Sequence, residues 1–276
     1  MPPTPELIDT HCHLAEPKLA NQLSLILKDS HLAGVSNFIC NTTNQTQWQS
    51  CINISKRFPQ VVPCLGIHPW FISTADDNWQ IELQNLLSKN LAAIGEIGLD
   101  CWKNPEQIDL QIDIFKDQIE IAAAFNLPVS VHCLKAWNQM QKVLRSSKIL
   151  PKRIHFHAFN APENIIPELV EAGYYFSIAP DILKNNREKQ LRKIKLIPLD
   201  KIFIETDSPD MLLANIDKLK RKYNLTYKTS NNDYNSPANL LIFAKELAIK
   251  LNIDFFELAK ITTNNAKRFW KEFLLT

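Results

Sequence analysis

The stretch QIDLQIDIFKDQIEIAAAFNLPVSVH, residues 107–132, carries both halves of a repeating structural rhythm. Over Gln107 to Phe125, the residues Leu110, Ile114, Phe115, Gln118, Ile119 and Ala122 recur at spacings of three or four, which predicts a helix. Pro128 to His132 is short, apolar and β-branched, which predicts a strand. The alternation extends in both directions, with strand-like runs at Leu7 to His11, Val35 to Cys40, Val61 to Gly66, Leu91 to Glu96, Arg153 to His157, Tyr174 to Ile178 and Lys201 to Glu205. Continuous apolar strands separated by helices read as a parallel sheet covered by helices. Eight such units in 276 residues predict a (β/α)8 TIM barrel, an α/β fold typically of about 250 residues, with a doubly wound open sheet as the competing architecture. After the eighth run, Met211 to Tyr234 shows no helix period, whereas Ser236 to Leu251 and Asp254 to Trp270 read as two closing helices.

Hydrophobic residues make up 45% of the chain, enough for one sizeable core, so residues 1–276 read as a single domain. With Lys+Arg at 31 and Asp+Glu at 29, the near-neutral balance excludes a broad electrostatic grip on duplex nucleic acid, and any phosphate binding must be local. Met1 to Glu6 has neither the basic nor the apolar region of an export signal, and no run approaches the ~18 apolar residues of a membrane span. A cytoplasmic protein without a membrane partner is therefore expected. The cysteines, Cys12, Cys40, Cys51, Cys64, Cys101 and Cys133, form no Cys-x-x-Cys pair and are expected to be reduced and mostly buried.

A barrel demands that functional residues sit at the C-terminal ends of several strands. The first run ends Asp9-Thr10-His11-Cys12-His13, and strand alternation sends Asp9, His11 and His13 to one face. Two imidazoles one residue apart form a ready pair of nitrogen ligands for a metal such as Zn²⁺ or Mn²⁺, although a His-x-His alone is also a common surface pair. The fourth run ends at Glu96 within Gly95-Glu96-Ile97-Gly98-Leu99-Asp100, the fifth at His132, the sixth at His155-Phe156-His157, and the eighth at Glu205-Thr206-Asp207. On one rim these groups can divide between two ions bridged by a carboxylate, the arrangement of two-metal hydrolysis.

The blocks Asp-Thr-His-Cys-His-Leu (9–14), Gly-Ile-His-Pro (66–69), Gly-Glu-Ile-Gly-Leu-Asp (95–100), Leu-Pro-Val-Ser-Val-His (127–132), His-Ala-Phe (157–159) and Glu-Thr-Asp-Ser-Pro (205–209) resemble the TatD family of metal-dependent hydrolases. Asn-Ser-Pro-Ala (235–238) and Thr-Asn-Asn-Ala-Lys-Arg-Phe (263–269) extend the likeness across residues 8–270, in the family's order. The resemblance implies a TIM barrel of the amidohydrolase superfamily and a metal-dependent deoxyribonuclease, often a 3′→5′ exonuclease. It implies two divalent ions, with Zn, Mn, Mg, Fe and Ni all open. Carried over residue by residue, His11, His13 and Glu96 would hold one ion with Asp207, and Glu96, His132 and His157 the other. A glutamate at the end of strand four removes the need for the carboxylated lysine of many superfamily relatives. His155 and Glu205, one layer below His157 and Asp207, are expected to support the ligands rather than bind metal.

The expected chemistry is attack of an activated water on a DNA phosphodiester, in single-stranded or frayed ends, with Asp207 and Glu96 as the catalytic carboxylates and Asp207 taking the water's proton. His68 and Lys135 are expected to contact substrate. Trp70 and Trp102, just past strand ends, read either as stacking surfaces for a splayed base or as part of the hydrophobic cap. Lys218, Lys220, Arg221, Lys222 and Lys228, set against Asp217 and Asp233, read either as a backbone-holding patch or as a solvated face. The chain departs from the family pattern where an Arg commonly stands two residues after the strand-five histidine, having Leu134 and then Lys135, and where Asn160-Ala161 replaces a common Ser-Gly pair. Lys135 brings one charge without the fork geometry of Arg. The same metals also suit an ester, amide or aminoacyl-tRNA ester, and a non-catalytic scaffold is the remaining alternative.

Overall fold

A computed structural model of the chain describes residues 4–225 and 234–274. Eight parallel strands, β1 (Leu7–Cys12), β2 (Val35–Asn41), β3 (Val61–Leu65), β4 (Ala93–Asp100), β5 (Val129–Leu134), β6 (Ile154–Phe156), β7 (Tyr175–Ile178) and β8 (Ile202–Ile204), pair in sequence order. Between them run α1 (Leu23–Leu32), α2 (Trp48–Arg57), α3 (Trp79–Lys89), α4 (Ile108–Ala124), α5 (Trp137–Ser146), α6 (Ile166–Glu171) and α7 (Glu188–Ile194). After β8 come α8 (Ile216–Lys222), α9 (Leu240–Leu251) and α10 (Phe255–Phe269). Sequential parallel pairing with a helix after each strand is the (β/α)8 barrel, and the open-sheet alternative is excluded because no strand order reverses. No helix among the described residues is long and apolar enough to cross a membrane.

Two differences from the sequence reading have physical causes. The segment after β8 does contain a helix, α8, whose seven residues, IDKLKRK, bury only Ile216, so there is too little apolar face to register as a period. Lys228 and Asp233 lie outside the described residues. The ladders of β1 and β4 are also irregular, with register shifts on either side of Ile8/Asp9 and between Ile94 and Ile97. Strict alternation therefore fails in the two strands that carry His11 and Glu96. Ile8 belongs to an inner core with Ile39, Val62, Ala93 and Phe203, yet His11, three residues later, also faces inward. Asp9 consequently does not share the position of His11 and His13. Such irregularities re-aim side chains next to active sites.

The inner core is closed at the N-terminal end of the barrel by α10, whose Phe269 and the following Trp270 pack with Ile8, Val62 and Phe203. The start of α10 is fixed by Asp254, which accepts hydrogen bonds from the N–H groups of Phe256 and Glu257 at 2.9 and 3.1 Å. The outer core packs Leu7, Phe38, Ile94, Val131, Phe156 and Ile204 against the helices. With one end plugged and the strands' C-terminal ends open, polar side chains can converge only on the open rim.

Gly98 permits the close approach of β4 and β5. Its φ is +146°, and a Cβ built there would stand 1.9 Å from the carbonyl oxygen of His132. The barrel closes between β8 and β1 through side chains and strand-end loops. Asp9 accepts from the N–H and hydroxyl of Thr206 at 2.9 and 2.5 Å, Thr10 Oγ1 donates to the Ile204 carbonyl at 3.0 Å, and Asp207 N–H donates to the His11 carbonyl at 3.0 Å. Thr206→Val keeps the shape and removes the buried hydroxyl. It is expected to lower stability by about 1–3 kcal/mol, seen as a lower urea midpoint at unchanged denaturant slope; an unchanged midpoint would remove Thr206 from the seam.

Candidate active site

A cavity of about 540 Å³ opens at the C-terminal rim, with His13, His68, Glu96, His132, His157 and Asp207 in its wall. These residues come from or just past β1, β3, β4, β5, β6 and β8, so local sequence brings none of them together except His11 with His13. Glu96 is the common neighbour, 3% exposed. Its Oε2 lies 3.3 Å from His11 Nε2 and 3.4 Å from His13 Nε2. Its Oε1 lies 3.0 Å from His132 Nδ1 and 2.8 Å from His157 Nε2. The two carboxylate oxygens thus face separate histidine pairs. Asp207 completes the first group, with Oδ1 at 3.3 Å from His13 Nε2 and 3.7 Å from His11 Nε2.

These spacings fit a metal. Donors about 2.1 Å from a common centre at octahedral or tetrahedral angles stand roughly 3.0–3.4 Å from one another. The pairs His11 Nε2 to His13 Nε2, at 3.3 Å, and His132 Nδ1 to His157 Nε2, at 3.1 Å, meet that requirement. The outward nitrogens agree. His13 Nδ1 lies 3.0 Å from the Asn41 carbonyl, which can only accept, so in the neutral ring Nε2 presents its lone pair inward. His132 Nε2 similarly donates to Asp100 Oδ2 at 3.0 Å, leaving Nδ1 as the inward acceptor. Lone pairs and carboxylate oxygens converge on buried space, a pattern that requires positive charge.

His68 differs. Its Nε2 lies 3.4 Å from Glu96 Oε1, close enough to count geometrically with Glu96 and His132 as a ligand group. Its Nδ1, however, accepts the backbone N–H of Trp70 at 3.1 Å, so the proton of the neutral ring sits on the inward Nε2. His68 is therefore a hydrogen-bond donor toward the centre. Burial pushes it down to about 4, against the raising influence of Glu96.

Beneath the rim, a buried chain of hydrogen bonds joins the two halves. His11 Nδ1 lies 3.0 Å from Ser130 Oγ, which lies 3.5 Å from His155 Nδ1; His155 Nε2 lies 2.7 Å from Ser177 Oγ, and Ser177 donates to Glu205. Glu205 Oε1 accepts the Ala158 N–H at 2.8 Å and stands 3.5 Å from His157 Nδ1. His155 and Glu205 lie one layer below the rim, where the sequence reading expects them. Asp207 is fixed by its own backbone, at φ +53° in the left-handed region that Asp tolerates better than most residues, with Asp210 N–H donating to its carbonyl at 2.8 Å.

The charges are strongly coupled. Burial opposes ionisation of Glu96, but the surrounding imidazoles hold its carboxyl well below the usual range. For His13, burial disfavours the charged form, yet Asp207 and Glu96 outweigh it and push the ring up to about 9. Asp9, away from the imidazole cluster, is pushed up to about 8 by burial despite the hydrogen bonds from Thr206. The rim carboxylates thus draw positive charge toward them, while the seam carboxyl does not.

Other expected contacts fall elsewhere. Lys135 is exposed and is not among the residues lining the cavity; Leu134 lines it instead, and the left-handed turn at Lys135, φ +56°, carries the chain away into α5. Among the described residues, Lys18 and Arg187 are the cations in the wall, from the loops after β1 and β7, and they pair with Asp210 at 3.7 Å and with Asp181. None of Lys218, Lys220, Arg221 and Lys222 lines this cavity. Sequence reasoning gave no role to Asp100, Ser130 and Ser177. Their signal was parity with His132 and with the inward face of β7, but Ser and Asp at a strand end are too ordinary to stand out.

A (β/α)8 barrel with imidazoles and carboxylates from several strands gathered at one rim is the architecture of metal-dependent hydrolases. The family model described as TatD related DNase matches residues 8–271, and the chain belongs to this family. It is 30% identical over 278 residues to the human protein named deoxyribonuclease TATDN3, covering 96% of this chain and 94% of that one. It is 26% identical to the 3′-5′ ssDNA/RNA exonuclease TatD of Erwinia tasmaniensis, covering 96% and 99%. The crystal structure of the Escherichia coli TatD homologue YJJV superposes with a TM-score of 0.84 at 24% identity, over 95% of this chain and 97% of that chain.

Glu96→Gln is expected to lose bound metal from both histidine pairs, measured as metal per chain by plasma mass spectrometry, and to abolish the rise in melting temperature that divalent metal gives the chelated wild type. Full metal content in this variant would refute the bridging position. Asp100→Ala frees the outward nitrogen of His132 and is expected to weaken metal affinity about 10–100-fold in a competitive chelator titration. Wild-type affinity there would show that Asp100 does not orient the ring.

Proposed function

We propose that this TatD-family chain is a metal-dependent hydrolase of DNA phosphodiester bonds, acting as a 3′→5′ exonuclease on single-stranded or frayed ends. The observation that carries this reading is Glu96, whose two oxygens face two separate histidine pairs across one cavity. The human and Erwinia relatives, named a deoxyribonuclease and a 3′-5′ ssDNA/RNA exonuclease, supply the substrate class. Two divalent ions would be held by His11, His13, Glu96 and Asp207 and by Glu96, His132 and His157, and imidazole-rich ligation favours Zn, Mn, Fe or Ni over Mg. When bound, such ions supply Lewis acidity, positive charge for a phosphodiester, and a lowered pKa for water.

The chain's own groups do the rest. Asp207 borders the cavity at 8% exposure and has a carboxylate available to orient the attacking water and accept its proton. His68, with its proton directed inward, donates to a phosphoryl oxygen. At the mouth, Lys18 and Arg187 stand where Lys135 was expected, and a phosphate would compete with Asp210 and Asp181 for them.

The test is hydrolysis of end-labelled single-stranded DNA with each divalent ion, alongside carboxylic and aminoacyl esters. Release of mononucleotides from the 3′ end is expected; inertness toward DNA with turnover of an ester would overturn the reading. Asp207→Asn is expected to lower kcat by about 10²–10⁴-fold while the histidine pairs still retain metal. Wild-type turnover in the metal-loaded variant would remove Asp207 from proton transfer.

A further inference from the structure

Five of the six tryptophans are buried or half-buried, but Trp102 is 58% exposed at the mouth of the cavity. Its backbone is nonetheless fixed. Asp100 Oδ1 accepts the backbone N–H groups of Trp102 and Lys103 at 2.6 and 3.1 Å. The other oxygen of the same carboxylate accepts Trp70 Nε1–H at 2.8 Å and faces His132 at 3.0 Å. The Trp70 and Trp102 rings stand 6.3 Å apart, and Trp70 in turn lies edge-on to His68 at 5.1 Å. The Lys103 ammonium lies over Trp70 at 4.3 Å, so Trp70 is covered while Trp102 keeps a free face. One buried carboxylate therefore holds the inward-facing His132, the Trp70 indole and the backbone of Trp102 together.

We propose that Trp102, backed by Trp70, is the stacking platform for the unpaired nucleobase of the terminal nucleotide, with its phosphodiester at the Glu96 centre. This rests on the nuclease reading above and adds a subsite to it. An indole accepts any base by its π face, but a terminal base still paired to its complement could reach it only by bringing the second strand into the mouth as well. The cavity, about 540 Å³, suits a small-molecule-sized occupant such as one nucleotide rather than a duplex. The platform thereby makes an unpaired end the preferred substrate without a basic groove.

The test compares metal-loaded wild type, Trp102→Ala and Trp102→Phe on oligonucleotides ending in a normal nucleotide or in an abasic tetrahydrofuran residue. Trp102→Ala is expected to lose about tenfold in kcat/KM on the normal end, and Trp102→Phe to recover most of it. On the abasic end all three proteins should agree. An equal loss on both ends, or no loss on the normal one, overturns the platform. Calorimetric binding of deoxyadenosine monophosphate, with deoxyribose 5-phosphate as the base-free control, separates the two readings. Trp102-dependent binding of the nucleotide alone, in a protein that cuts no DNA, supports the platform and overturns the nuclease. DNA cleavage with binding indifferent to Trp102 does the reverse.

Discussion

Glu96 is a nearly fully buried carboxylate surrounded at contact distance by imidazole nitrogens, and the architecture around it follows from that concentration of lone pairs. Burying a charge is costly unless it is paired and hydrogen-bonded. Here Oε2 meets His11 and His13 while Oε1 meets His132, His157 and His68, and the outward nitrogens of His11, His13 and His132 have other partners, which leaves inward lone pairs without a protein group to satisfy them all. A divalent cation would satisfy them, and it would give a near-neutral chain local positive charge without a basic surface.

The surrounding polar network keeps that arrangement rigid. The Asn41 carbonyl and Asp100 set the tautomers of His13 and His132, and Ser130, His155, Ser177 and Glu205 link His11 to His157 beneath the floor. None of these supports is close in sequence to the ring it orients; parallel pairing brings Ser130 alongside His155. The same loops that carry Asp207 close the barrel against β1, so the integrity of the fold and of the site depend on shared hydrogen bonds. Asp9 shows the division of labour: one turn of β-structure from His11, it fastens the seam and leaves the cluster to its neighbours.

Much of the site was legible because its chemistry is concentrated in uncommon residue types at strand ends. His11, His13, Glu96, His132, His157 and Asp207 could be selected by type, position and order, and the barrel explained why they should meet. The exceptions are instructive. Lys135 was chosen for its charge and position after His132, but a single left-handed residue turns the chain, and cations from other loops occupy the wall. The parity of Asp9 with His11 was broken by a ladder irregularity that has no composition signal. The short α8 escaped because periodicity needs an apolar face, and this helix buries a single side chain.

Sequence alone determined the alternation of apolar strands and amphipathic helices, hence the barrel, and the inventory of imidazoles and carboxylates at its rim. These follow from local periodicity and residue chemistry, which are written one element at a time. Only the tertiary structure decided which nitrogen of each imidazole faces inward, that His68 donates where His13 and His132 accept, and that Asp100 ties an inward-facing ring to the backbone of an exposed tryptophan. Those properties depend on hydrogen-bond partners from separate strands and loops, and a partner's position is fixed only when the barrel closes.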